Sequence, residues 1–213
     1  MSRDPSLLLR ALSALLSYPD AELRAALPEI SEAIRASHAL KRRCRDDLLA
    51  LVEEIAGSDA LEAEGRYVDL FDRGRHTSLN LFEHVHGDSR NRGPAMLQLR
   101  QRYLDAGMEP FSDELPDHLP LMLEYLSCRD GAELRSTVGE AALILRKIGN
   151  TLLKRHSRYG AVMAALLALG GEKGLDASAP VPPRDDFDRT WEERPAFAPP
   201  EPNPAAPPAR RPT

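Results

Sequence analysis

At 213 residues the chain has room for one domain, or for one domain and a tail. Its net charge of −5 and isoelectric point near 5.7 argue against a nucleic-acid partner, which needs a basic face to neutralise phosphates. Two cysteines, Cys44 and Cys128, cannot build a disulfide framework and are not spaced as a CxxC pair. A reduced, cytoplasmic chain is the simplest expectation.

Helix signals dominate to about residue 170, because Leu, Ala, Glu and Arg are frequent and β-branched residues sparse. The first predicted helix covers about 5–17. Leu8, Leu12, Leu15 and Leu16 share one of its faces. Arg10 and the following Tyr18-Pro19-Asp20 set this segment apart from a signal peptide. A second helix is expected over 20–37, capped by Asp20 and broken near Pro28, and a third over 41–56. The third opens on the basic cluster Lys41-Arg42-Arg43-Cys44-Arg45, which reads as a solvated helix end because Asp46 and Asp47 follow. Further helices are expected over 59–71, 91–106, 116–129, 131–148 and 158–169. Pro94 falls in the first turn of the fifth, Gly107 stops it, and Pro116 starts the sixth. The apolar run 161–169 is too short for a bilayer, which takes about 20 residues.

After Gly170-Gly171 the composition changes. Eleven of the 18 prolines lie in residues 171–213, a stretch with too little apolar surface to offset its ordering entropy, so a disordered tail is expected. Within it, 187–197 holds Phe187, Trp191 and Phe197 among acids. It is either a short docking element or a segment that packs back on its own domain.

Two polar runs interrupt the helical rhythm. One is Leu81-Phe82-Glu83-His84-Val85-His86-Gly87-Asp88-Ser89-Arg90, and the other is Glu114-Leu115-Pro116-Asp117-His118. Three chemistries compete for them. A metal-dependent enzyme would use His84, His86 and His118, but on a helix positions two apart point to nearly opposite sides, so His84 and His86 could share a metal only in an extended segment, and HExxH is absent. Acid–base work by Glu114, Asp117 and His118 competes with a bland account in which the two acids cap a helix. No nucleophile elbow or phosphate-cradling glycine loop supports an enzyme. The third is a peptide-binding groove. Tyr67, Leu70 and Phe71 fall at i, i+3 and i+4, and could line it or simply pack in the core. Asp117 and His118, at the groove mouth, would then grip a basic or polar peptide end. A helical adaptor docking through the Trp191 region is a further alternative.

Glu114-Leu115-Pro116-Asp117-His118 resembles the E-x-P-D-H element of redox-enzyme maturation chaperones for molybdenum oxidoreductases. Tyr67-Val68-Asp69-Leu70-Phe71 resembles the aromatic helix of that superfamily. The run Ser78 to Arg90, followed by Arg92-Gly93 and Ala95-Met96, is similar to the respiratory nitrate reductase delta-subunit branch, the molybdenum cofactor assembly chaperones. Leu16-Ser17-Tyr18-Pro19-Asp20 also fits that branch, and Asp188 to Phe197 fits it loosely.

The resemblance covers about residues 8–170. The residues themselves predict an all-α, single-domain bundle of about eight helices over 1–170 with a Pro-rich disordered tail over 171–213, whose extension after Phe197 lies outside the family pattern; the resemblance implies an all-helical chaperone with no catalytic activity or cofactor of its own. The implied partner is the N-terminal segment of the nitrate reductase alpha subunit, alone or within an alpha–beta apo-complex. The chaperone would hold it competent for cofactor insertion before membrane attachment, as a monomer or dimer without stable membrane association. Motif match places client binding on Asp117, His118, Glu114, Tyr67, Leu70 and Phe71, then on Glu83, His84, His86, Asp88 and Arg90.

Overall fold

The computed structural model describes residues 5–86, 92–109, 114–176 and 178. Among them stand nine helices and no strand: α1 (Ser6–Leu15), α2 (Ala21–Ala36), α3 (Arg42–Gly57), α4 (Ala60–Phe71), α5 (Glu83–His86), α6 (Arg92–Asp105), α7 (Leu119–Ser127), α8 (Gly131–Lys154) and α9 (Gly160–Gly170). No described helix is long and apolar enough to cross a membrane.

Acidic caps open three of the long helices. Asp20 accepts from the Leu23 amide at 2.9 Å, Asp59 from Leu61 at 3.0 Å, and Asp130 from Ala132 and Glu133 at 2.9 Å each. Each satisfies an amide that lacks an intrahelical partner. The leucine face of α1 packs against α7, whose residues from Leu119 to Leu123 are all buried. The α8–α9 hairpin forms the other half of the core, and α9 also meets α3. Because α9 is apolar all round, it is buried on most sides, with Val162, Met163 and Leu166 wholly enclosed.

The hairpin closes tightly at Gly149. A methyl group built there would stand 2.9 Å from Met163 Cβ and would also press on Leu175. Overpacking of this kind costs about 1–3 kcal/mol. Gly149→Ala is therefore expected to lower the urea midpoint, although alanine is the better helix former.

Several boundaries differ from expectation. Helix α2 runs unbroken through Pro28. The ring lies on the exposed side, where water can serve the carbonyl that its missing N–H leaves unpaired. Helix α8 continues to Lys154 rather than ending near 148, and α5 is an additional short helix. Helix α7 starts at Leu119 with Pro120 in its first turn, so Pro116 precedes it. Neither Glu114 nor Asp117 caps it: the cap position is His118, with no side-chain bond to the helix. Beyond α9 the chain returns along α8. Arg146 donates to the Lys173 carbonyl at 3.3 Å, and Asn150 Oδ1 accepts from the Asp176 amide at 2.8 Å. Residues 179–213, with the 187–197 element, lie outside the described residues.

Candidate functional site

The fold brings the two polar runs together. Asn80 and His118 form an isolated antiparallel bridge. The Leu81 amide donates to the Asp117 carbonyl at 3.1 Å, and the Leu119 amide to the Leu79 carbonyl at 2.9 Å. The Asp117 side chain completes the junction: Oδ2 accepts from the Phe82 amide at 2.7 Å. Tyr103 Oη donates to the Pro116 carbonyl at 2.8 Å, tying α6 to the same turn.

Asp117 is wholly buried, at 0% exposure. Burial pushes its carboxyl above the usual range, while the Phe82 amide pulls the other way. Its Oδ1 has no partner among the described residues, and neither does Asn80 Oδ1. This acid acts inside the protein, as a latch between the 79–82 segment and the start of α7.

His118 is mostly buried, its side chain 17% exposed, with Nδ1 3.6 Å from Glu114 Oε2. Burial lowers the tendency of its imidazole to take a proton, and the carboxylates of Glu114 and Asp117 oppose that. His84 is likewise lowered by burial, and its Nε2 lies 2.9 Å from the Ser78 carbonyl.

Four aromatic rings stand beside this junction. Tyr67 lies 4.9 Å from Phe71, 5.7 Å from Tyr18 and 6.3 Å from Tyr159, centroid to centroid. Its hydroxyl donates to the Leu16 carbonyl at 2.7 Å, fixing α4 against the end of α1. Such tilted and edge-on pairs each add about 0.5–1.5 kcal/mol beyond area burial.

Between the rings and His118 opens a cavity of about 600 Å³. Tyr18, Tyr67, Phe71, Leu79, Met108, Pro120 and Leu121 give it apolar walls; Asp72, Glu109, Glu114 and Glu124 give it carboxylates. No lysine or arginine lines it among the described residues. The carboxylates of Asp72, Glu109 and Glu124 have no ion-pair partner among those residues. An aromatic, acidic trough of this kind suits a basic amphipathic segment.

The sequence-derived candidates divide. Tyr67, Phe71, Glu114 and His118 line the cavity. Leu70 packs against the core instead, and Asp117 is enclosed. Glu83 pairs with Arg92 at 3.4 Å, and His84 turns to Ser78. The backbone of His86 ends α5, while its side chain, Asp88 and Arg90 lie outside the described residues. Among the described residues no three His, Cys, Asp or Glu side chains are grouped to hold a metal ion. Sequence reasoning missed Tyr18 as a wall, although its motif was noted, and missed Leu121 and Glu124, whose i, i+3 spacing after His118 was a usable signal. Asp72, Met108 and Glu109 carried no local signal.

The fold is shared with a protein from Archaeoglobus fulgidus proposed to be a redox enzyme maturation protein, with a TM-score of 0.55. The two are 19% identical, and the match covers 76% of this chain and 90% of that one. The described residues thus define an all-helical protein of that fold class. Residues 18–165 match the family model of the nitrate reductase delta subunit, and the chain belongs to that family. It is 41% identical over 195 residues to the nitrate reductase molybdenum cofactor assembly chaperone NarJ of Escherichia coli strain K12, covering 85% of this chain and 80% of NarJ. It is 34% identical over 194 residues to the probable nitrate reductase molybdenum cofactor assembly chaperone NarW of the same strain, covering 87% and 81%. Both relatives are named as assembly chaperones.

Proposed function

We propose that this chain is a cytoplasmic assembly chaperone that holds the N-terminal segment of the nitrate reductase catalytic alpha subunit. Holding it keeps the apoenzyme, alone or as an alpha–beta complex, competent for molybdenum cofactor insertion and delays membrane attachment. The observation that carries this reading is the aromatic, acid-lined cavity beside His118, set in a chain of the nitrate reductase delta-subunit family. Tyr18, Tyr67, Phe71 and Leu121 offer apolar contact to one face of a helix, and Glu114 and Glu124 meet its cations. Asp117 serves this site from beneath, by holding Asn80 and His118 in place.

Calorimetric titration with a synthetic peptide from the alpha-subunit N-terminus tests the reading. Saturable micromolar-or-tighter binding is expected, and it should weaken in His118→Ala while the helical circular dichroism stays unchanged. The pH profile has a defined sign. His118 is held neutral by burial, so protonation comes only below the ordinary histidine value of 6.5. A proton there adds positive charge to an acidic trough and opposes a cationic ligand. Affinity should therefore fall as pH is lowered below that value, and His118→Gln should flatten the profile. No binding from pH 6 to 8 would sink the proposal.

A further inference from the structure

The trough continues past the cavity beside His118. A second chamber of about 760 Å³ lies over α7 and the adjoining parts of α1 and α2. The two share Ser17, Tyr18, Met108 and Glu124, so they adjoin along a common rim. Their floor is a stripe of α7 and its C-cap: Leu121 in the first chamber, Glu124 in both and the capping Cys128 in the second. These stand at i, i+3 and i+7, on one helical face. The distance along that face is about 10 Å, or two helical turns.

The second chamber shares an excess of carboxylates with the first. Leu23, Ala14 and Ala26 give it small apolar surface. Asp20, Glu22 and Glu124 give it three carboxylates against one cation, Arg10. Asp20 is already engaged by the Leu23 amide, but Glu22 and Glu124 have no ion-pair partner among the described residues. Glu124 and Cys128 are exposed, and Tyr18 is 43% exposed at the shared rim.

We propose that the client's basic amphipathic helix runs on along α7 into this second chamber, where Glu124 and Glu22 receive cations from its far end. The inference rests on the peptide-binding reading above, and it adds that the client is recognised along the whole of this two-turn stripe, from Leu121 to Cys128. Charge complementarity and continuity with the first chamber select this occupant. An acidic or uncharged segment would leave two carboxylates unanswered.

The full-length chain carries its own probe. Cys128 is exposed in the second chamber, whereas burial pushes the Cys44 thiol up to about 11 and makes it a poor nucleophile. Two synthetic peptides from the alpha-subunit N-terminus are compared, one about seven residues longer than the other. Each is made with a bromoacetyl group at one end or the other, so that Cys128 Sγ displaces bromide when the end lies near it. The longer peptide, labelled at one end only, should alkylate Cys128 at least about tenfold faster than a scrambled peptide, through effective concentration. Cys128→Ser should abolish the adduct. Glu22→Gln should weaken the longer peptide about twofold to fivefold and leave the shorter one unchanged, as for an exposed ion pair. Normal binding of both peptides with equal affinity and no preferential Cys128 adduct overturns the second chamber alone. Absence of binding by either peptide overturns the groove reading and this inference with it.

Discussion

Tyr67→Ala is expected to unfold about 3–5 kcal/mol more readily than the parent chain, the usual cost of removing a buried aromatic ring. Tyr67 is 6% exposed and touches Tyr18, Phe71 and Tyr159 at once. Truncation therefore opens a void where α1, α4 and the chain before α9 meet. It also removes a wall of the cavity, so loss of client binding in this variant would not separate stability from recognition. Tyr67→Phe makes that separation. It keeps the ring and deletes only the bond to the Leu16 carbonyl, at a cost of about 1 kcal/mol. Urea unfolding monitored by circular dichroism, with m held constant, measures both. A phenylalanine variant as unstable as the alanine variant would refute the packing account.

Asp117→Ala is expected to cost about 1–3 kcal/mol and to weaken client binding without touching the client. The alanine leaves the Phe82 amide without its acceptor, so the 79–82 segment is held to the start of α7 by its backbone bonds alone. Asp117→Asn keeps an acceptor oxygen for Phe82 and should lose less on both measures. The pH dependence separates a buried carboxyl from an exposed one. Its ordinary value is 3.8, and burial raises it in the folded protein. Between those two values the folded state binds more protons than the unfolded state, so its contribution to stability declines as pH rises through that window. Asparagine does not titrate. The stability gap between Asp117→Asn and the parent should therefore shift in favour of the asparagine as pH climbs from about 4 through the window. Urea midpoints across that range check this, and a gap independent of pH would show that Asp117 titrates as though exposed.

The helical character of this chain was legible from its residues because helix formation is local. Propensity, the apolar face of residues 8–16, the Asp20 cap and the Gly107 stop all act within a few positions. The polar runs were legible too, since dense acids and histidines at helix boundaries stand out by composition. Their roles were not. Glu114 and Asp117 looked alike as helix-starting acids, yet one faces the cavity and the other is enclosed.

What the sequence determined by itself is eight of the nine described helices, the Asp20 start of α2 and the motif around Glu114 to His118. The tertiary structure decided which of those residues face a ligand. Asp117 takes its partner from Phe82, 35 positions away, and Tyr67 takes its from Leu16, 51 positions away. A cavity is lined by whatever five or six separate elements place at one spot. Periodicity reports on one helix at a time and carries no information about which faces of different helices meet. That is why Glu124, two turns from the motif, was left out of the site until α1, α2 and α7 were packed together.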